Sequence, residues 1–392
     1  MIKKIIYLVE APFSQRDFER FGVQVFLNKG FDVWIFDLSS LLYPEAAKNI
    51  LATTSCKLNN LVKFNRKEDV VVALLKLSKD SFVLGFLSYG IKTVYIYRLI
   101  TRKSFGFSLI SAFPNFYDNA CLVEKGLKFF LKRFSPEKIF NKIIMRIPPK
   151  YIGVSYAKCI FLGGAKSAVP SCLVSNRTKK PYIHTLDYDN YLQKKGSVNK
   201  EKNNYVVFLD QLLGNHPDRF FSKEKDIVTK EKYYKELRDY FSFIENKFST
   251  SVVIAAHPRA QYNKSEENIF GNRKVVQNLT DELVKHAEFV ILHFSYSVSY
   301  CVLYEKPFLV ITTDELENST HASFMKQLAG YFGKKVISIS ADTESTDYSN
   351  ELRMPKDKYI KYKNDYIKMK GTEQHLFWDV ASEYIRSLGA DR

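Results

Sequence analysis

Ile5-Ile6-Tyr7-Leu8-Val9, followed by the amphipathic residues 17–28, Gly30 and Phe31-Asp32-Val33-Trp34-Ile35-Phe36-Asp37-Leu38, is the stretch that decides the fold. The first apolar run lies between Lys4 and Glu10, too short for a signal-peptide core and the right length for a buried strand. Apolar residues at helical spacing then give way to a glycine, which ends a helix readily because it tolerates left-handed backbone. A second apolar run follows. Strand, helix and strand in that order make a βαβ unit, whose crossover leaves the two strands parallel. Further strands are expected at residues 82–87, 94–97 and 158–162, the last running into Gly163-Gly164.

Between residues 179 and 204 the chain turns polar and lysine-rich, and a linker is expected there. The alternation then restarts, with strands expected at 205–209, 251–256, 289–293 and 308–311 and helices at 230–247, 282–287 and 297–304. A closing helical segment is expected at 359–387, around Trp378. The reading is α/β: two Rossmann-like α/β/α domains, 1–190 and 191–370, with residues 371–392 as a helix returning to the first. Ligands of such domains bind beyond the carboxyl ends of the strands, so the cleft between them is the expected site.

The length of 392 residues suits two cores, and 46% hydrophobic with 26% charged residues excludes disorder and collagen. Lys and Arg outnumber Asp and Glu by 59 to 42, a net charge of +17 that favours anionic partners. Five cysteines (Cys56, Cys121, Cys159, Cys172 and Cys301), odd in number and without a close pair, point to neither a disulfide scaffold nor a zinc site and suit a reducing compartment. No stretch is apolar enough to be expected to cross a bilayer.

Three strand ends carry chemistry. His257-Pro258-Arg259 follows the strand at 251–256, where an imidazole can donate to a phosphate oxygen and Arg259 can add a planar cation; an ordinary polar turn is the alternative. Ser295-Tyr296-Ser297 follows His293 and opens a helix that runs to Glu305-Lys306-Pro307. Free backbone amides and serine hydroxyls at a helix start can hold a phosphate, and simple N-capping is the alternative. Asp210-Gln211 ends the strand at 205–209, ahead of His216-Pro217-Asp218, with Asp210 read as base, nucleophile or turn cap. Asp187-Tyr188-Asp189, after His184, has an Asp-x-Asp spacing that fits a capping or hinge role better than a metal site.

The ordered set Asp210, His257-Pro258, Ser295/Ser297 and Lys306-Pro307 resembles the HP-motif glycosyltransferases of the GT-B fold that use CMP-activated acidic sugars. These include the bacterial sialyl- and polysialyltransferases and the Kdo transferases of capsule and O-antigen assembly. The opening from Phe21-Gly22 through Leu38 is similar to the first βαβ of such enzymes. The resemblance implies that His257 binds or protonates the CMP phosphate, with Pro258 and Arg259 beside it. It implies that Ser295 and Ser297 hold the same phosphate and that Glu305, the nearest acid, grips the ribose. The same resemblance implies that Asp210 acts on the acceptor or, in a retaining double displacement, on the anomeric carbon. The donor is then CMP-linked Kdo, sialic, pseudaminic or legionaminic acid, with no metal and no further cofactor, and the acceptor is a lipid-linked O-antigen, lipopolysaccharide or capsule glycan.

A basic and apolar segment at 125–150 holds eight Lys and Arg against Glu137, and either lies on an anionic membrane surface or packs on the core with its lysines solvated. The expected location is the cytoplasm, peripheral to the inner face of its membrane. Two other readings stay open. A CDP-polyol phosphotransferase of the teichoic-acid type also uses a His with a downstream serine-rich turn, and a nucleic-acid binder would use the charge and the many Tyr and Phe. No helix-turn-helix, zinc or RNP-type signature accompanies the charge, so nucleic acid is not the expected partner.

Overall fold

The computed structural model describes residues 1–49, 58–113, 136–194, 196, 204–214, 227–260, 262, 269–340 and 343–390. They fall into two compact units, 1–113 with 136–186 and 368–390, and 187–367. Each unit is a six-stranded, all-parallel sheet flanked by helices. No described helix is long and apolar enough to cross a membrane.

The first sheet has the order β3-β2-β1-β4-β5-β6, with β1 (Lys4–Val9), β2 (Asp32–Asp37), β3 (Leu61–Lys63), β4 (Ser81–Phe86), β5 (Gly106–Ser111) and β6 (Cys159–Leu162). The opening βαβ sets its centre: Ile5 lies opposite Val33 on one side and Phe82 on the other. Residues Ile5 to Val9 are buried on both faces, which is why the run reads as continuous rather than alternating. Residues 17–28 form two short helices, α1 (Gln15–Arg20) and α2 (Val23–Asn28), parted by Gly22 at φ +63°. Ser14 and Asp17 close a reciprocal capping box on α1.

Residues 94–97, expected as a strand, are instead the first turn of the helix Val94–Lys103. Its buried residues Ile96, Tyr97 and Ile100 fall on one helical face, and the Tyr97 hydroxyl donates to the Leu87 carbonyl at 2.6 Å. The β-branched residues there are outweighed by this packing, because strand propensity is mostly a matter of context. The lysine-rich segment expected as a linker is also ordered at its start. The Lys179 N–H donates to the Lys158 carbonyl and the Ile183 N–H to Leu162, continuing the first sheet beyond β6. The helix Leu186–Lys194 follows at once, so the chain passes to the second unit at residue 187 and returns at 368, not at 191 and 371.

The return leads to the helix Phe377–Leu388, whose Phe377, Trp378, Ala381 and Ile385 join the core of the first unit with Val23 and Phe26. The Trp378 indole donates to the Arg20 carbonyl at 2.8 Å, and the Lys29 ammonium bonds the Asp379 carbonyl and Glu383 at 3.1 Å each.

The second sheet has the order β12-β11-β10-β7-β8-β9, with β7 (Tyr205–Leu209), β8 (Ser251–Ala256), β9 (Val275–Gln277), β10 (Val290–Leu292), β11 (Phe308–Thr312) and β12 (Val336–Ser338). The helix Lys230–Phe248 covers it with Tyr233, Tyr234, Leu237, Tyr240, Phe241 and Ile244, spaced to share one face. The large aromatic share of the sequence is thus largely core: Tyr233, Tyr234, Phe208, Phe241 and Phe270 are all buried there.

Candidate functional site

Strands β10, β7 and β8 are neighbours, and a parallel sheet presents all its carboxyl ends on one edge. Adjacent strands lie about 4.8 Å apart, so the segments leaving these three tips start within about 10 Å of one another. Two residues after β7 tie them together. Asp210, only 6% exposed, accepts the Leu212 N–H through Oδ1 at 2.9 Å and the His257 N–H through Oδ2 at 3.2 Å. Oδ2 also accepts a short hydrogen bond from the Tyr262 hydroxyl. Burial and the adjacent Asp210 charge push the Tyr262 phenol well above its ordinary range, which keeps it a donor. Gln211 Oε1 accepts the Phe294 N–H at 3.1 Å, which reaches across to the segment after β10.

His257, Pro258 and Arg259 form a half-buried turn closed by the Ala260 N–H on the His257 carbonyl at 2.8 Å. The Arg259 N–H donates to His257 Nδ1 at 3.2 Å, so a neutral ring carries its proton on Nε2. Gln277, at the end of the edge strand β9, donates its side-chain amide to the carbonyls of His257, Pro258 and Ala260 at 3.0–3.2 Å. The His-Pro turn is therefore held from two sides, by Asp210 at its amide and by Gln277 at its carbonyls.

The serine turn differs from the expected anion nest. Ser295 Oγ accepts the Ser297 N–H at 3.2 Å, and the amides of Val298, Ser299 and Tyr300 bond back to the carbonyls of Ser295, Tyr296 and Ser297. These amides are consumed by tight turns, so an anion contact from this segment falls to the hydroxyls of Ser295 and Ser297. Ser297 opens the helix Val298–Leu303 without a side-chain capping bond, which removes simple N-capping as its purpose.

Glu305 does not join this group. It follows Val298–Leu303 with φ +51°, exposed, a helix length of about 9 Å beyond Ser297. Lys306 next to it bonds the Ala287 carbonyl at 2.8 Å, and Pro307 leads into β11, so this segment lies at the amino-end edge of the sheet. The serines are on the carboxyl-end edge. Sequence proximity to the serine motif suggested a ribose contact, but the helix carries Glu305 away from it.

His293, inside the same motif, is a core residue. The Ile311 carbonyl at 2.8 Å can only accept, so it takes the Nδ1 proton and the neutral ring accepts at Nε2 from the Tyr233 hydroxyl at 3.0 Å. Burial lowers its pKa from 6.5 to about 4, and the ring is neutral near pH 7. Between those two values the unfolded chain binds the extra proton. The stabilisation from this residue is therefore complete above about pH 6.5 and is lost as the pH falls toward 4, by about 3 kcal/mol across the window. Denaturant midpoints at pH 7 and pH 4.5 should differ less in His293→Asn than in the parent chain; an unchanged difference would assign the acid sensitivity elsewhere.

Asp187 and Asp189 sit in the first turn of Leu186–Lys194, about 200° apart around the helix, with Tyr188 between them in the core. That geometry does not bring both carboxylates to one ion. Among the described residues no three His, Cys, Asp or Glu side chains group as metal ligands. His216, Pro217, Asp218 and the basic residues 125–135 lie outside the described residues.

Sequence reasoning named Gln211 without a role and missed Tyr262 and Gln277, whose roles exist only once distant segments meet. It also passed over His321, which packs at a tilt against Phe294 with ring centres 4.8 Å apart and follows β11 through a short helix. A lone imidazole soon after a strand end was the available signal.

No protein-family profile and no curated protein matches the sequence. Solved structures do. The S. aureus MnaA–UDP co-structure aligns at 12% identity over 99% of this chain and 97% of its own, with a TM-score of 0.51. The glycotransferase of kitacinnamycin aligns at 10% identity over 99% of both chains, TM-score 0.51. CalG4, the calicheamicin glycosyltransferase, aligns at 11% identity over 100% and 99%, TM-score 0.50. With two parallel six-stranded sheets and this likeness along its whole length, the chain has the GT-B fold.

Proposed function

We propose that the chain is a glycosyltransferase that moves an acidic 2-keto sugar (Kdo, sialic, pseudaminic or legionaminic acid) from its CMP donor to a lipid-linked surface glycan. The observation that supports this reading best is the tie among three strand tips. Through Asp210 and Gln211, the His257 turn and the segment leading into Ser295 are anchored to the same loop. One imidazole and two hydroxyls then serve one side of a small anion.

In this reading the CMP phosphate accepts the His257 Nε2–H and the hydroxyls of Ser295 and Ser297, with Arg259 adding positive charge. The bond from the anomeric carbon to the phosphate oxygen breaks, and its electron pair stays on that oxygen. Donors already in place stabilise the growing charge without reorganising, which is where catalysis gains most. The acceptor hydroxyl forms the new glycosidic bond, and its proton passes to the departing CMP phosphate, whose oxygen has kept the electron pair. Asp210 acts as a positioning residue for His257, because its oxygens already accept three donors and a carboxylate so engaged is a poor nucleophile.

The MnaA structure carries UDP, which makes a UDP-sugar the competing donor. A thermal-shift series with CMP, CDP, UDP and GDP separates the two. CMP or CDP should raise the melting temperature of the parent chain by several degrees, and His257→Ala should abolish most of the rise. Indifference to cytidine nucleotides, or preference for UDP, would overturn the donor.

A further inference from the structure

We infer that the helix Pro136–Arg146 is a docking surface for an anionic lipid bilayer. Polar residues hold it to the first unit. Glu137 pairs with Lys92 at 2.8 Å, and four residues on, Asn141 Oδ1 accepts the Ile91 N–H at 2.7 Å. Asn141 also fills the space beside Gly90, where a Cβ would come within 2.6 Å of it. The contact at Gly90 is close because there is no side chain there.

Several apolar residues of the helix stay exposed instead. Ile139 and Ile143, one turn apart, and Phe140 are 42%, 49% and 51% exposed. At about 100° per residue Ile139 and Ile143 lie on the side away from Glu137 and Asn141, and Phe140 lies on the flank between. An ordinary surface helix turns its apolar stripe to the core and its polar stripe to water. Here polar residues make the contacts with the unit while Ile139, Phe140 and Ile143 stay exposed, which calls for a second apolar medium.

Charge selects that medium. Lys142 and Arg146 are exposed and border the apolar arc, and from residue 136 to 151 the sequence has four basic residues against Glu137, which Lys92 already neutralises. Tyr151, 72% exposed, lies just beyond, with the Lys150 ammonium 4.8 Å from its ring centre. Apolar side chains between cations, with an aromatic ring near them, match a bilayer carrying anionic headgroups, where each nearby Lys or Arg adds about a fivefold gain in affinity. This surface stands independently of the donor assignment, although an acceptor anchored in lipid would give it a purpose.

Flotation of the full chain with vesicles tests it. The chain should float with vesicles of phosphatidylcholine containing about one third phosphatidylglycerol, stay behind with phosphatidylcholine alone, and be released by high salt. Phe140→Asp/Ile143→Asp should abolish flotation, and Lys142→Gln/Arg146→Gln should weaken it by about thirtyfold. Val72→Asp, at an exposed apolar position of another helix, should leave it unchanged. All replaced side chains are exposed, so melting temperatures should match the parent and exclude misfolding as the cause. Equal binding to both vesicle types, no binding, or binding retained by both double variants would overturn the inference. So would a dimer on size exclusion that the Phe140→Asp/Ile143→Asp variant dissolves, which would make the face a contact between copies.

Discussion

Asp210→Ala should lower turnover by about a hundredfold or more and weaken CMP binding along with it. The carboxylate holds the amides of Leu212 and His257 and the Tyr262 hydroxyl, all in a buried place at the end of β7. Alanine leaves these donors without their acceptor, at a cost of about 3 kcal/mol in stability. It also frees the His257 turn on one side, so the imidazole loses the geometry that phosphate binding needs. Calorimetric titration of CMP, run beside kcat, separates the two roles of Asp210. A variant that binds CMP as the parent does but no longer turns over would place Asp210 at the sugar, as the resemblance to retaining Kdo transferases implied, and would end its assignment as a positioning residue.

Gly22→Ala should destabilise the first unit by about 4 kcal/mol, the sum of left-handed strain and overpacking. Gly22 has φ +63°, and a Cβ there would come within 2.1 Å of the Trp378 ring. That ring is wedged against Phe26 and donates to Arg20, so it cannot swing away without breaking the seat of the helix Phe377–Leu388. The expected readout is a denaturant midpoint lowered in step with exposure of the Trp378 fluorophore. Trp378→Ala in the Gly22→Ala background should then cost much less than in the parent chain, because the clash disappears with the ring. Full additivity of the two changes would show that the contact is not what restricts residue 22.

The positive charge gains a location from the surface just described but not a single owner. Lysines also serve structure: Lys334, buried behind the second sheet, bonds the carbonyls of Glu351 and Arg353, and burial pulls its pKa down to about 8. A net charge of +17 is therefore a statement about anionic partners in general.

Local pattern alone determined the alternation of strands and helices, both parallel sheets at their centres, and the strand ends that carry Asp210, His257 and Ser295. Buried parallel strands and amphipathic helices write their period directly into neighbouring residues, and a strand end is where that period stops. The short strands β3, β9 and β12 escaped because three residues hold no period, β5 escaped because Ser108 and Ser111 interrupt its apolar run, and the helix Val94–Lys103 was misread because its apolar residues also suit a strand. Only the tertiary structure decided what the motif residues do. Asp210 meets His257 across 47 residues of sequence, Gln277 reaches three carbonyls of a turn on another strand, and Glu305 is carried off by the helix that begins beside Ser297. Hydrogen bonds between segments that meet only in the folded sheet leave no periodic trace, so their partners become visible when the strand order is known.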